Sequence, residues 1–190
     1  MGIRQRVVKS CFFFLPVILG AMLILFAERG ESESRDLETE FFSDEESLVQ
    51  KNKVRVVTVY DGDSLDVVGK NGKKIKLRLY GIDAPEKGQH FANTARAFLE
   101  DLTQNSFYTL DVHYKDKYNR YVSVLYDENG IAVQEDLIRN GFAWVYPRFC
   151  DDVILCVGWQ NVQDEARNSR QGLWQEENPI TPWDYKHHKK

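Results

Sequence analysis

From residue 53 onward, apolar and polar positions fall into short, regular patterns. Residues 53–60 (KVRVVTVY) are rich in Val and predict a strand. A second strand is predicted over 64–69. Asn71-Gly72, between Lys-flanked strands, is a two-residue hairpin signal. Residues 73–82 place Ile75, Leu77 and Leu79 at every second position, the period of a half-buried strand. Residues 89–104 set Phe91, Ala95, Phe98, Leu99 and Leu102 at helical spacing. Strands follow over 106–114 and 121–126, joined by KDKYNR, and DENG at 127–130 is a turn. A short helix is expected over 131–140, with Gly141 placed to end it. AWVYP reads as extended, and 157–171 as a helix with Gly172 beyond its end. Three strands, a helix, two strands and two helices predict an α+β fold. Its centre is a closed five-stranded barrel, a shape that leaves no exposed strand edge.

The chain before residue 53 follows other rules. CFFFLPVILGAMLILFA, residues 11–27, contains no charge and follows Arg4, Arg6 and Lys9. Residues 1–27 therefore read as an apolar targeting helix, either a cleaved signal peptide or a retained membrane anchor. In both cases the basic flank stays inside and the chain beyond it crosses, which gives an extracytoplasmic location, tethered or secreted. Residues 28–52 hold nine acids against Arg29, Arg35 and Lys51 and read as a solvated linker. The expected organisation is thus targeting segment 1–27, linker 28–52, domain 53–175 and C-terminal extension 176–190. The chain of 190 residues has a net charge of −4, carried mainly by the linker. The domain itself is close to neutral, so bulk charge does not mark a nucleic-acid binder, and any phosphate recognition is local.

Cys150 and Cys156 lie close together in YPRFCDDVILCVGW. An oxidising compartment favours their pairing, and two buried thiols are the alternative. No second Cys or His pair stands near them to complete a zinc site.

The acids draw the attention next. DGDSLD, residues 61–66, follows the first strand, and Asp83 and Glu86 lie in the loop after the third. In a meander, strands one and three run parallel, so the first turn and this loop emerge at the same end. Asp63 and Asp83 are thereby expected to converge, and paired carboxylates suit a hard cation such as calcium or magnesium. The stretch is no EF-hand loop: Leu65 occupies the third ligand position and Asp66 the required glycine. Simpler roles stay open for each residue. Asp61 makes a turn, Glu86 caps a helix, and Arg78 covers apolar surface with its stem.

VVTVYDGDSLDV, LRLYGIDAPE, DKYNRYVSVLY and EDLIRNGFAWVY, in this order and spacing, resemble the staphylococcal nuclease (thermonuclease) family over about residues 53–174. The resemblance implies a five-stranded OB-fold barrel with three helices. It also implies a calcium-dependent phosphodiesterase, expected as a monomer, acting on single-stranded or unstructured DNA and RNA and leaving 3′-phosphates. By position, Asp63, Asp83 and the Ala84 carbonyl correspond to the calcium ligands. Glu86 corresponds to the residue that activates water, and Arg78 and Arg120 to the arginines on the scissile phosphate. Lys117 and Tyr118 correspond to residues beside a terminal phosphate, and Tyr146 to a tyrosine that packs on the nucleotide. Ser64 and Ala84 stand where the family often has Thr, and Asn119 replaces a turn glycine. The loop after Glu86 is shorter, and the family's basic charge is absent. A barrel that only binds nucleic acid or protein is the competing reading, with a surface adhesion module as a third. The tail QEENPITPWDYKHHKK reads as a packed, Trp-containing extension with a basic end.

Overall fold

A computed structural model describes residues 53–188; the predicted targeting segment and linker, with Cys11, lie outside them. Among the described residues no helix is long and apolar enough to cross a membrane. Five strands close a barrel in the order β1 (Lys53–Val59), β2 (Ser64–Val68), β3 (Lys74–Leu79), β6 (Tyr121–Tyr126), β5 (Phe107–Lys115). All neighbours are antiparallel except β3 and β6, and β1 against β5 completes the ring. The alternation in β3 is realised. Ile75, Leu77 and Leu79 are buried, while Lys74 and Lys76 face solvent. Val54, Leu65, Val67, Leu110 and Val124 join them in the core.

Helix α1 (Ala92–Thr103) buries Ala95 and Leu99 under one side of the barrel. Helix α2 (Val133–Arg139) is clamped to β6 by Gln134, whose side chain accepts from Leu125 N–H at 3.3 Å and donates to the Ser123 carbonyl at 3.0 Å. Both contacts are buried, so this glutamine satisfies strand groups that would otherwise be orphaned. Gly141 ends the helix at φ 68, as the pattern predicts. A Cβ there would meet the Gln171 carbonyl oxygen at 2.2 Å.

Three features depart from the pattern. Helix α3 (Val153–Asn168) begins four residues before its predicted start, because the Asp152 carboxylate accepts from Ile154 N–H and Leu155 N–H. A fourth helix, α4 (Pro182–His188), forms in the tail, beyond the three expected. Residues Ile82–Asp83 (β4) and Trp144–Val145 (β7) add a short antiparallel ladder outside the barrel. Cys150 and Cys156 are joined in a disulfide, Cα to Cα 5.7 Å, beside the start of α3.

Candidate active site

The acids of the first turn and of the GIDAPE loop meet at one end of the barrel. Leu79 N–H donates to the Asp63 carbonyl at 2.8 Å, and Ala84 N–H to Asp63 Oδ2 at 2.8 Å. Gly62 permits this approach: a Cβ there would lie 2.6 Å from that of Ala84. Asp83 is held from the other side, as β4 residue opposite Trp144. Asp63 and Asp83 are only 6% and 1% exposed.

Arg78 spans the pair. Its guanidinium lies 3.0 Å from Asp63 Oδ2 and 2.7 Å from Asp83 Oδ1. The planar fork sets one terminal nitrogen against each carboxylate. Lys186, from helix α4, lies 3.3 and 3.4 Å from the two Asp83 oxygens and 2.9 Å from Glu86 Oε1. The Glu86 backbone N–H donates to Gln89 Oε1 at 3.0 Å.

The charges do not balance. Asp61, Asp63, Asp83 and Glu86 face Arg78 and Lys186, leaving an acid excess. Burial pushes the Asp63 carboxyl up to about 7; Arg78 opposes this, and Asp61 and Asp83 add to it. Burial raises Asp83 as well, against Arg78 and Lys186. Burial works against charge on Lys186, but its hydrogen bond to Glu86 and its attraction to Asp83 hold its pKa up.

A buried carboxylate this short of positive charge, in a set of oxygen donors, fits a hard divalent cation. Asp63, Asp83 and the Ala84 carbonyl would hold it. Among the described residues no group of three His, Cys, Asp or Glu side chains is arranged for a metal. Two carboxylates and a carbonyl fall below that count, and water completes such sites.

Arg78 and Asp83 also line a cavity of about 580 Å³, whose other walls carry Lys117, Tyr118, Arg120 and Tyr146. The turn before β6 shapes that wall. Asp116 Oδ1 accepts from Tyr118 N–H at 2.9 Å and Arg120 N–H at 3.0 Å, while Asn119 takes φ 64. Arg120 does not join the acid cluster; its guanidinium lies 2.7 Å from Asp116 Oδ2. Lys117 and Arg120 both lie over the Tyr118 ring, at 5.1 and 5.4 Å. Tyr146 stacks on Trp183, centroids 4.7 Å apart and planes 4° from parallel.

The sequence assigns Lys186 and Asp116 no role, and Trp183 only that of the tryptophan in a packed extension, which it is. For Lys186 and Trp183 a signal existed. Thr181 caps the helix: its Oγ1 accepts from Asp184 N–H at 3.3 Å and donates to Asp184 Oδ2 at 2.6 Å. Thr-Pro-x-Asp, with Pro at the first helical position, marks a helix start. That the helix then reaches the acids is a tertiary fact with no local signature.

The family model described as "Staphylococcal nuclease homologue" matches residues 76–176. The chain belongs to this family. It is 35% identical over 135 residues to an "Uncharacterized endonuclease" of Escherichia coli, covering 71% of this chain and 85% of the relative. A Haemophilus influenzae protein, also named "Uncharacterized endonuclease", is 35% identical over 141 residues, 74% of this chain and 76% of its own. A "Micrococcal nuclease" of Shigella flexneri is 34% identical over 144 residues, 69% and 78%. Family and relatives together support a hydrolytic nuclease.

Proposed function

We propose that this protein is a calcium-dependent nuclease that hydrolyses phosphodiester bonds of DNA and RNA at the 5′ P–O bond, leaving 3′-phosphates. The observation that carries this reading is Arg78, shared between two buried carboxylates at the rim of a cavity whose far wall holds Arg120 and Lys117. When bound, the cation offsets the charge of Asp63 and Asp83 and polarises the phosphate.

The side chains supply the rest. With the acids otherwise neutralised, the Arg78 fork is free to turn to a phosphate oxygen, and Arg120 exchanges Asp116 for the same group. Their hydrogen bonds strengthen as charge builds on phosphorus in the transition state. Glu86 takes the proton of the attacking water, whose oxygen forms the new P–O bond as the 5′ oxygen leaves and takes a proton from solvent water. Tyr118 and Tyr146 offer rings for bases, which favours single-stranded substrate. Work outside the cytoplasm, tethered through residues 11–27 or released from them, is supported by the Cys150–Cys156 disulfide.

The test is degradation of single-stranded DNA and of RNA by the purified full chain, with calcium and then with excess chelator, beside Glu86→Gln. Calcium-dependent cutting that falls about 10²-fold or more in the variant is the expected result. A folded protein that binds calcium and cuts neither polymer is a binding module.

A further inference from the structure

We infer that Lys186 is a positioning residue of this site: its ammonium holds the Glu86 carboxylate beside Asp83 and competes with the divalent cation for Asp83. The inference rests on the nuclease reading above and adds to it a residue from outside the barrel.

Helix α4 is fastened over the site at several points. Trp183 stacks on Tyr146 and meets Trp144 edge-on at 6.0 Å. Gln89, in the loop after Glu86, donates to the Ile180 carbonyl at 2.6 Å, just before the helix begins. Lys186 lies three residues after Trp183, on the same side of the helix. The stacked ring therefore aims the lysine at the acids.

The chemistry of the contact is that of a cation site. One ammonium lies within 3.4 Å of both Asp83 oxygens and 2.9 Å from Glu86. An ordinary surface pair contributes little. Here one partner, Asp83, is 1% exposed, so the ammonium interacts with a carboxylate largely removed from water. Without Lys186, Glu86 faces the charge of Asp83 across the gap, and its half-exposed side chain is free to swing out.

A divalent ion held by Asp83 repels the ammonium on the same carboxylate. Lysine suits this exchange better than arginine. It carries a compact charge on a flexible stem, so it can leave Asp83 and keep Glu86. A misplaced general base costs rate without weakening substrate binding.

The experiment uses the full chain as wild type, Lys186→Met and Lys186→Arg. Calcium affinity is read by calorimetry without nucleic acid, and kcat and KM on single-stranded DNA at saturating calcium. Near-ultraviolet circular dichroism checks that the Trp183–Tyr146 packing persists. Lys186→Met is expected to tighten calcium binding about tenfold and to lower kcat about tenfold, with KM within about twofold. Lys186→Arg is expected to restore most of kcat. A folded Lys186→Met protein in which either the calcium affinity or kcat stays at the wild-type value overturns the inference. Should that variant unfold, Lys186→Gln is read by the same two criteria. Wild-type protein that cuts DNA beside an unmoved variant overturns this inference alone, whereas wild-type protein that cuts nothing overturns the nuclease reading and this inference with it.

Discussion

Asp63 and Asp66 belong to one hexapeptide, and both are buried, yet their surroundings differ. Asp66 takes its partners from the barrel side, both on one carboxylate oxygen, while its buried Oδ1 has no hydrogen-bond partner among the described residues. Tyr60, beyond the end of β1, donates to its Oδ2 at 2.6 Å, and Lys74, at the start of β3, lies 2.7 Å away. Burial opposes its charge, but Lys74 and Tyr60 prevail and hold its pKa below the usual range. Asp63 takes its partners from the ends of two strands and the loop beyond: Ser64 Oγ, a guanidinium shared with Asp83, and Ala84 N–H. Burial prevails there, and its pKa goes up to about 7. Burial alone therefore does not separate the two acids. The supply of positive charge around each one does.

The largest expected effect separates the two acids by activity. Asp63→Asn should lower kcat/KM on DNA about 10²-fold or more and abolish calcium binding seen by calorimetry. Asp66→Asn should stay within about threefold of wild type. Equal losses in the two variants would erase the distinction.

Next comes stability. Arg78→Met leaves two buried carboxylates without their shared partner and should cost about 3–5 kcal/mol in urea unfolding without calcium. Lys74→Met removes one partner from a single buried carboxylate that keeps its Tyr60 hydrogen bond, and should cost less. A smaller effect follows pH. Unfolded, Asp63 loses its proton near 3.8; folded, it keeps it until about 7. Between those values the folded chain binds more protons, so stability contributed by this group falls as pH rises from about 4 to about 7. The loss should be about 1–3 kcal/mol in calcium-free protein, and Asp63→Asn should remove that slope in urea titrations at stepped pH. Asp66 should contribute the opposite slope at lower pH. The smallest effect is Tyr60→Phe, which should move the thermal midpoint by a few degrees at most and leave calcium affinity unaltered.

The barrel was legible because β3 alternates cleanly, its other strands are short runs rich in β-branched and aromatic residues, and its first two turns use Asp-Gly and Asn-Gly. The convergence of Asp63 and Asp83 followed from the meander alone. Three things were not legible, for different reasons. The early start of α3 depends on Asp152 as a cap, within a run where Val153, Ile154 and Leu155 give no helical period. The β4–β7 ladder has two residues per strand, too few for any periodic signal. The contact of Lys186 with Asp83 spans 103 positions of chain and rests on one ring stacked on another. The partner of Arg120 was closer at hand. Asp116 sits four residues before it, yet only the closed turn shows that the arginine is occupied.

Helix α4 also has a consequence in time. Domains fold from the N-terminal side as they are made. The strands, Arg78, Arg120 and the four acids of the cluster emerge before Trp183 and Lys186 do. The barrel can therefore close around an acid cluster still short of one cation, which the chain itself delivers last. Completing this end of the barrel is then a docking event on a finished scaffold, separable from the collapse that builds it.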